Sequence, residues 1–255
     1  MEKIAVLSDI HGNLTAFNAV LDDAEQVGAT HYLVLGDLLM PGPGSGEILD
    51  KIKNLPNVRV VRGNWDDCLL NSRYQEVKTP QDRYLARLGK YHVDKSTDFD
   101  YLGELPLAQR FQIKGVAFSI CHNLPHKNFG GELFDDSHLV ALFPDSQVQV
   151  ALHEHTHYQR SVTLNNGRLV INPGSVGHRF LDEHRQSGMA NYAVLSVDNF
   201  GGVAVQLKEV DYDVQTEKEF ATASGLPYLP LYLELLESGR TFTHDGAVLE
   251  KFADN

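Results

Sequence analysis

Short apolar runs alternate with amphipathic stretches along most of the chain, and that alternation predicts its elements. Residues 4–7 form an apolar run with the length of a buried strand. Leu14, Phe17, Val20, Leu21, Ala24 and Val27 then fall on one face at helical spacing, with Asn13 in the N-cap position. Residues 32–35 and 58–61 read as two further strands. The helix between them is capped by Ser45 and carries Ile48, Leu49, Ile52 and Leu55 on its apolar face. Residues 68–105 read as helical, with Tyr84, Leu85, Leu88, Phe99, Leu102 and Leu105 apolar. A hairpin follows over 111–113 and 116–120, split by Lys114-Gly115. Residues 132–142 predict a helix, and 148–152, 168–171, 192–197 and 203–210 predict strands. From Asp213 the pattern is helical again, with a stripe of Leu229, Leu231, Tyr232, Leu235 and Leu236. The reading is one domain over 1–212 and a helical extension over 213–255. The extension packs on the domain or on a partner subunit, and a homodimer is one such arrangement.

Composition narrows the class. The 42% of hydrophobic residues is that of an ordinary globular protein, and no apolar run nears the roughly 18 residues of a membrane span. A net charge of -12 argues against a broad basic footprint for polymeric nucleic acid. It leaves room for a phosphorylated small molecule, because bound cations supply a positive field locally. The two cysteines, Cys68 and Cys121, form no C-x-x-C pair. With no signal peptide visible behind Glu2 and Asp9, the expectation is a reducing, cytoplasmic setting.

Polar residues of the metal-binding types follow strand after strand. Asp9 and His11 follow the first, Asp37 the second and Asn64 the third. His122 follows the hairpin, and His155 and His157 follow residues 148–152. In a strand-like backbone residues two apart point the same way, so Asp9 and His11 are expected to converge from the lip of the first strand. Successive βα units gather such strand ends at one sheet edge. The stretch Pro41-Gly42-Pro43-Gly44-Ser45-Gly46 looks like a phosphate cradle, but Glu47 and Ile48 stand where a P-loop has Lys and Ser or Thr.

In this order the blocks resemble the calcineurin-like metallophosphoesterases, whose pattern is Asp-x-His, Gly-Asp, Gly-Asn-His-Asp/Glu, a lone His, and Gly-His-x-His. Within that family, Gly63-Asn64-Trp65-Asp66, His122 to Asn128, Asn172-Pro173-Gly174-Ser175 and Pro227-Tyr228 are similar to a small bacterial branch with asymmetric diadenosine tetraphosphate hydrolases and phosphodiesterases. The resemblance implies an α/β fold, a four-layer α/β/β/α sandwich with two mixed sheets. It also implies two divalent metal ions, one held by Asp9, His11, Asp37 and His157, the other by Asp37, Asn64, His122 and His155. Oxygen and imidazole donors without thiolate suit Mn, Fe or Zn. The implied activity is hydrolysis of a phosphodiester or phosphoanhydride of nucleotide type by a hydroxide between the metals, with Asn64 and His122 aiding catalysis. The alternatives are a phosphomonoesterase, including a protein Ser/Thr phosphatase, and a non-catalytic scaffold on the same fold.

Two positions depart from the family pattern. Trp65 replaces a His that would protonate the leaving oxygen or hold the phosphate, which favours leaving groups that need no proton; its indole either stacks on a nucleobase or packs beside the site. Glu154 replaces the Gly before His155, and either shifts that loop or reaches an imidazole. His155 and His157 are preferred over His153 as ligands. His126 and Lys127 are candidate phosphate contacts, as are His178 and Arg179, each with an exposed or capping role as the alternative. Asn172-Pro173-Gly174 is expected to shape a turn near the metals, and His31, His92, His138, His184 and His244 are left as surface or core residues.

Overall fold

A computed structural model describes residues 1–74, 76–95, 97–130, 136–179 and 187–253. Its first half runs β1 (Glu2–Leu7), α1 (Leu14–Gln26), β2 (His31–Val34), α2 (Gly46–Asn54), β3 (Val58–Val60), α3 (Asn64–Ser72), α4 (Pro80–Asp94), α5 (Phe99–Glu104), β4 (Ala108–Ile113) and β5 (Val116–Cys121). Its second half runs α6 (Asp136–Leu139), β6 (Val150–Leu152), β7 (Arg160–Thr163), β8 (Leu169–Asn172), β9 (Met189–Val197), β10 (Val203–Asp211), α7 (Val214–Ser224), α8 (Leu229–Ser238) and α9 (Gly246–Lys251). Of the helix expected over 132–142, α6 and a 3-10 turn at Val140–Leu142 lie among the described residues; 132–135, like His184, lie outside them.

Two five-stranded sheets form, ordered β10-β9-β1-β2-β3 and β4-β5-β6-β8-β7. Both are mixed. β1, β2 and β3 are parallel with β9 antiparallel to β1, and β5, β6 and β8 are parallel with β4 and β7 antiparallel at the edges. The period of two along β1 sorts its side chains. Ala5 and Leu7 join the core under the helices, while Ile4 and Val6 meet Phe118, Ile120 and Leu152 of the second sheet. The far face of the second sheet packs Ala151 and Val170 against Leu139 and Leu142. The result is the α/β/β/α sandwich.

Local chemistry sets the helix starts. Asn13 caps α1 by accepting from the Ala16 N–H at 3.0 Å. Ser45 holds the N-cap position of α2 but makes no side-chain capping bond. The loop before it is fixed instead by backbone bonds from Gly42 to the His11 carbonyl (2.9 Å) and from Gly44 to the Gly12 carbonyl (2.8 Å). Those N–H groups are thereby spent, which is the physical reason this Pro/Gly stretch is no phosphate cradle. β7 escaped the sequence pattern because Arg160-Ser161-Val162-Thr163 holds one apolar residue and pairs only at the sheet edge.

The tail packs on its own chain. Ala221, Leu226, Leu231 and Leu235 share the core of the helical layer. The buried Glu217 carboxylate accepts from the Thr15 N–H (3.0 Å), the Thr15 hydroxyl (2.6 Å) and the Tyr232 hydroxyl (2.8 Å), tying α7 to α1 and α8 at once. No helix among the described residues is long and apolar enough to cross a membrane.

Candidate metal centre

The seven residues singled out by their spacing meet at the C-terminal edges of the two sheets. Asp37 Oδ2 lies 3.4 Å from His122 Nε2 and 3.9 Å from His11 Nε2, between two groups of donors. On one side His11 Nε2 and His157 Nε2 are 3.4 Å apart, with Asp9 Oδ1 at 3.4 Å and 2.8 Å from them. On the other, Asn64 Oδ1 is 2.9 Å from His122 Nε2 and 2.8 Å from His155 Nδ1.

Convergence comes from backbone conformation rather than from an extended strand, which corrects the expectation for Asp9 and His11. β1 stops at Leu7, and the two residues adopt left-handed conformations, φ 51° and 50°. Asp37, His155 and His157 share this feature. Such a φ costs an L-residue with a Cβ roughly 1–2 kcal/mol. Backbone bonds hold it in place: Asp9 N–H to the Gly36 carbonyl (3.0 Å) and His11 N–H to the Asp37 carbonyl (2.9 Å). Asn64 is the first residue of α3, and the Gly63 before it admits no side chain. A Cβ there would sit 2.0 Å from Asp37 Oδ1.

The imidazoles are oriented by backbone carbonyls: Met40 for His11 (2.6 Å), Leu35 for His122 (2.8 Å), His178 for His157 and Gly130 for His155. A carbonyl only accepts, so each proton sits on the outer nitrogen and a lone pair points inward. Asp9 Oδ1 is fully buried, 2.8 Å from His157 Nε2. With neutral rings, carboxylate, amide and imidazole acceptors therefore face one another, and without cations only a further proton on an imidazole beside Asp9 relieves them. That donor set fits bound cations, and Asp9, His11, Asp37, Asn64, His122, His155 and His157 could hold two.

The remaining candidates divide. Trp65 reaches the cluster: its backbone N–H donates to Asp37 Oδ1 (2.8 Å) and its indole stands edge-on to His11, centroids 5.8 Å apart. His126 is exposed and Lys127 half-buried, in a turn closed by Leu124 and Lys127; neither contacts the cluster. His153 is buried outside it, both ring nitrogens without a hydrogen-bond partner. Glu154 does not reach an imidazole. Its backbone is ordinary, and its carboxylate bonds the Gly174 N–H at 3.1 Å. Asn172 shapes the expected turn, accepting from Gly174 at 2.9 Å. The same turn aims Ser175 at the Asp9 carbonyl (2.9 Å) and places His178 against the cluster. Arg179 is paired to Glu209.

His178 sits closer to the cluster than its sequence context suggests. Its ring centroid is 5.4 Å from that of His11 and 4.8 Å from that of His157, and the three offer donor atoms within 4.8 Å of one another. Asp9, Asp37 and His122 form a second such triad. His178 follows the loop after β8, and its approach depends on the long-range packing of that loop on β1, so no local spacing announces it.

The electrostatics follow from burial. Burial opposes ionisation of Asp9, but His157 and His11 outweigh it and hold its carboxyl well below the usual range. Burial, then the Asp9 charge, pushes Asp37 up to about 7; burial, then Asp37, does the same to Asp66. Glu154 is raised well above its ordinary value by burial and then by Asp9. Without cations, such carboxyls keep protons in the folded state that the unfolded chain has lost. Their penalty is absent below their unfolded values near 4, and grows as pH rises toward about 7. His92 and His153, lowered to about 3 by burial, act oppositely below about pH 6, with or without metal. Cations replace the protons, so manganese is expected to raise Tm over an EDTA-treated sample by about 5–10 °C near pH 8 and by clearly less near pH 5.5. An equal shift at both pH values in a thermal melt would contradict this account.

Residues 2–199 match the calcineurin-like phosphoesterase superfamily domain, so the chain belongs to that family, one of metal-dependent phosphoester hydrolases. It is 29% identical over 237 residues to an uncharacterized protein of Methanocaldococcus jannaschii, spanning 88% of this chain and 93% of that one. The crystal structure of a hypothetical protein from Pyrococcus horikoshii superposes with a TM-score of 0.75 at 25% identity, over 94% of this chain and 100% of that one. A metallophosphoesterase from Sphaerobacter thermophilus shares the fold, with a TM-score of 0.68 at 23% identity over 93% and 100%.

Proposed function

We propose that the protein is a dinuclear-metal hydrolase of phosphodiester or phosphoanhydride bonds in nucleotide-type substrates such as diadenosine tetraphosphate. The observation that carries this reading is Asp37 Oδ2 standing between two sets of inward lone pairs. Two divalent cations held there would supply Lewis acidity and lower the pKa of water. Asn64 turns its carbonyl oxygen to both imidazoles, which leaves its NH2 to donate to a phosphoryl oxygen. His122 and the other histidines hold their protons on backbone carbonyls, outside the reaction.

The substrate class rests on Trp65. An indole N–H is far too weak an acid to protonate a leaving oxygen. His178, lowered well below its usual value by burial and then by His157, is neutral at pH 7 and so a poor acid; cations beside it push the same way. A nucleotide or phenolate leaving group departs without a proton, whereas an alkoxide needs one. Manganese-loaded protein is therefore expected to hydrolyse bis-p-nitrophenyl phosphate and diadenosine tetraphosphate well, and serine phosphate at least ~10²-fold more slowly. Trp65→His is expected to raise the serine phosphate rate about tenfold or more. A preference for serine phosphate in the parent, or no gain in the variant, would remove the substrate assignment.

A further inference from the structure

The loop after β8 is fastened along the chain that leaves β1. Val176 N–H reaches the Ser8 carbonyl at 3.0 Å, and Gly177 N–H the Asp9 carbonyl at 2.9 Å. Only glycine permits so close an approach: a Cβ on Gly177 would sit 1.8 Å from the Ile10 carbonyl oxygen. The Ser175 hydroxyl donates to the Asp9 carbonyl and accepts the His178 N–H at 2.8 Å. The His178 carbonyl in turn accepts from His157 Nδ1. Residue 178 is thus tied through its backbone to Asp9 and to His157, on one side of the cluster.

Its ring lies on that side too. It is buried, with its centroid 5.4 Å from that of His11 and 4.8 Å from that of His157. A ring nitrogen of each of the three falls within 4.8 Å of the other two, and His11 Nε2 and His157 Nε2 are 3.4 Å apart. His178 also has the outer partner that the cluster imidazoles have. Met40 and Leu35 supply a carbonyl to His11 and His122, and Gly239 supplies one to His178, 3.3 Å from Nε2. A carbonyl only accepts, so Nε2 carries the proton and Nδ1 the lone pair. A histidine that binds a cation is held in this way, its second nitrogen donating to a carbonyl.

That carbonyl belongs to the tail. Gly239 ends α8 in a left-handed conformation, φ 68°, with its N–H on the Leu235 carbonyl at 2.8 Å. α8 is anchored through Tyr232 to Glu217, and through Glu217 to Thr15 of α1.

Building on the dinuclear reading, we propose that His178 is an additional metal ligand: its Nδ1 joins His11 and His157 on one cation, and the Gly239 carbonyl of the tail holds the ring. The two sites then differ in kind. One offers three imidazoles with Asp9. The other offers His122, His155 and the Asn64 amide, and Asp37 stands between them. Imidazole suits Zn and Fe, whereas carboxylate and carbonyl oxygens suit Mn. The site with His178 is therefore the one that prefers Zn to Mn, and the tail supports that preference through Gly239.

The test uses zinc alone as the probe. Full-length protein labelled with 15N-histidine is stripped with EDTA and titrated with Zn²⁺ near pH 7, and the ring nitrogens are followed by NMR. The Nδ1 signal of His178 is expected to move with the same equivalent of Zn²⁺ as the Nε2 signals of His11 and His157, while His178 Nε2 keeps its proton. By calorimetry, His178→Ala is expected to weaken one of two Zn²⁺ sites by about tenfold or more, and Mn²⁺ binding by clearly less. An Nδ1 signal that stays still while those of His11 and His157 move would overturn the proposal, as would equal losses for the two metals. The His178 signals are assigned through the backbone of the parent, so the titration decides even where the alanine variant does not fold. Two ions bound with His178 unmoved removes the proposal alone. One ion that moves His178 supports it and removes the dinuclear reading, and no uptake removes both.

Discussion

Asp37→Asn is expected to abolish turnover of every phosphoester, by at least ~10³-fold in kcat/KM, or about 4 kcal/mol of transition-state stabilisation. Losing a residue that merely supports a metal ligand costs 10–100-fold, and Asp37 faces both donor groups at once. The substitution preserves shape. An Asn carbonyl still accepts the Trp65 N–H, so the fold should survive. Stability should then move opposite to activity. Burial and the Asp9 charge push the Asp37 carboxyl up to about 7, so near pH 8 the metal-free parent carries an ionised carboxylate that the fold disfavours. A neutral amide has no such penalty. EDTA-treated Asp37→Asn is thus expected to melt at or above the parent near pH 8, with the advantage vanishing toward pH 4, while taking up less manganese. An active variant, or one that is inactive and also unfolded in EDTA, would show that Asp37 serves structure first.

How the site could be read from sequence, and where it could not, comes down to the range of each interaction. Asp9, His11, Asp37 and Asn64 sit one βα unit apart, so parallel pairing of β1, β2 and β3 brings them to one edge, and a local pattern suffices. The way the side chains turn inward was not visible. Nothing in Asp-x-His announces a left-handed backbone, which is imposed by bonds to Gly36 and Asp37 on the neighbouring strand's loop. His178 is poorly marked for the same reason: it reaches the site through packing across more than a hundred residues, Ser175 on Asp9. Glu154 replaces a family glycine without strain because the left-handed residues are its neighbours His155 and His157, not position 154. The central strands were recoverable because they are apolar on both faces, as in 4–7, whereas the edge strand β7 carries a single apolar residue, Val162.

Asp66→Ala is expected to be the most destabilising substitution near the site, though Asp66 is not among the seven cluster residues. Its carboxylate receives three backbone donors: Gly63 N–H at 2.9 Å and Asp37 N–H at 3.0 Å on Oδ2, and Leu38 N–H at 2.9 Å on Oδ1. One buried side chain thereby joins the loop after β2 to the first turn of α3, and so sets Asp37 against Asn64. Alanine strands all three N–H groups away from water, each costing roughly 1–3 kcal/mol, for a total of about 3–5 kcal/mol after local relaxation. Part of this is offset in the metal-free protein, because burial and the Asp37 charge hold Asp66 up at about 7. The comparison therefore belongs in manganese, where the Asp37 charge no longer opposes it. The expected readout is a fall in the urea midpoint at unchanged slope, with Tm lower by about 10 °C and weaker manganese uptake. Asp94→Ala provides the contrast. Asp94 pairs with Lys90 at 2.7 Å on an exposed helix face, an ion pair of ~0.5 kcal/mol or less, so its removal should barely register. If both variants unfold at the same urea concentration, then the three bonds to Asp66 do not hold the loop. In that case the positions of Asp37 and Asn64 must be fixed by the strands alone.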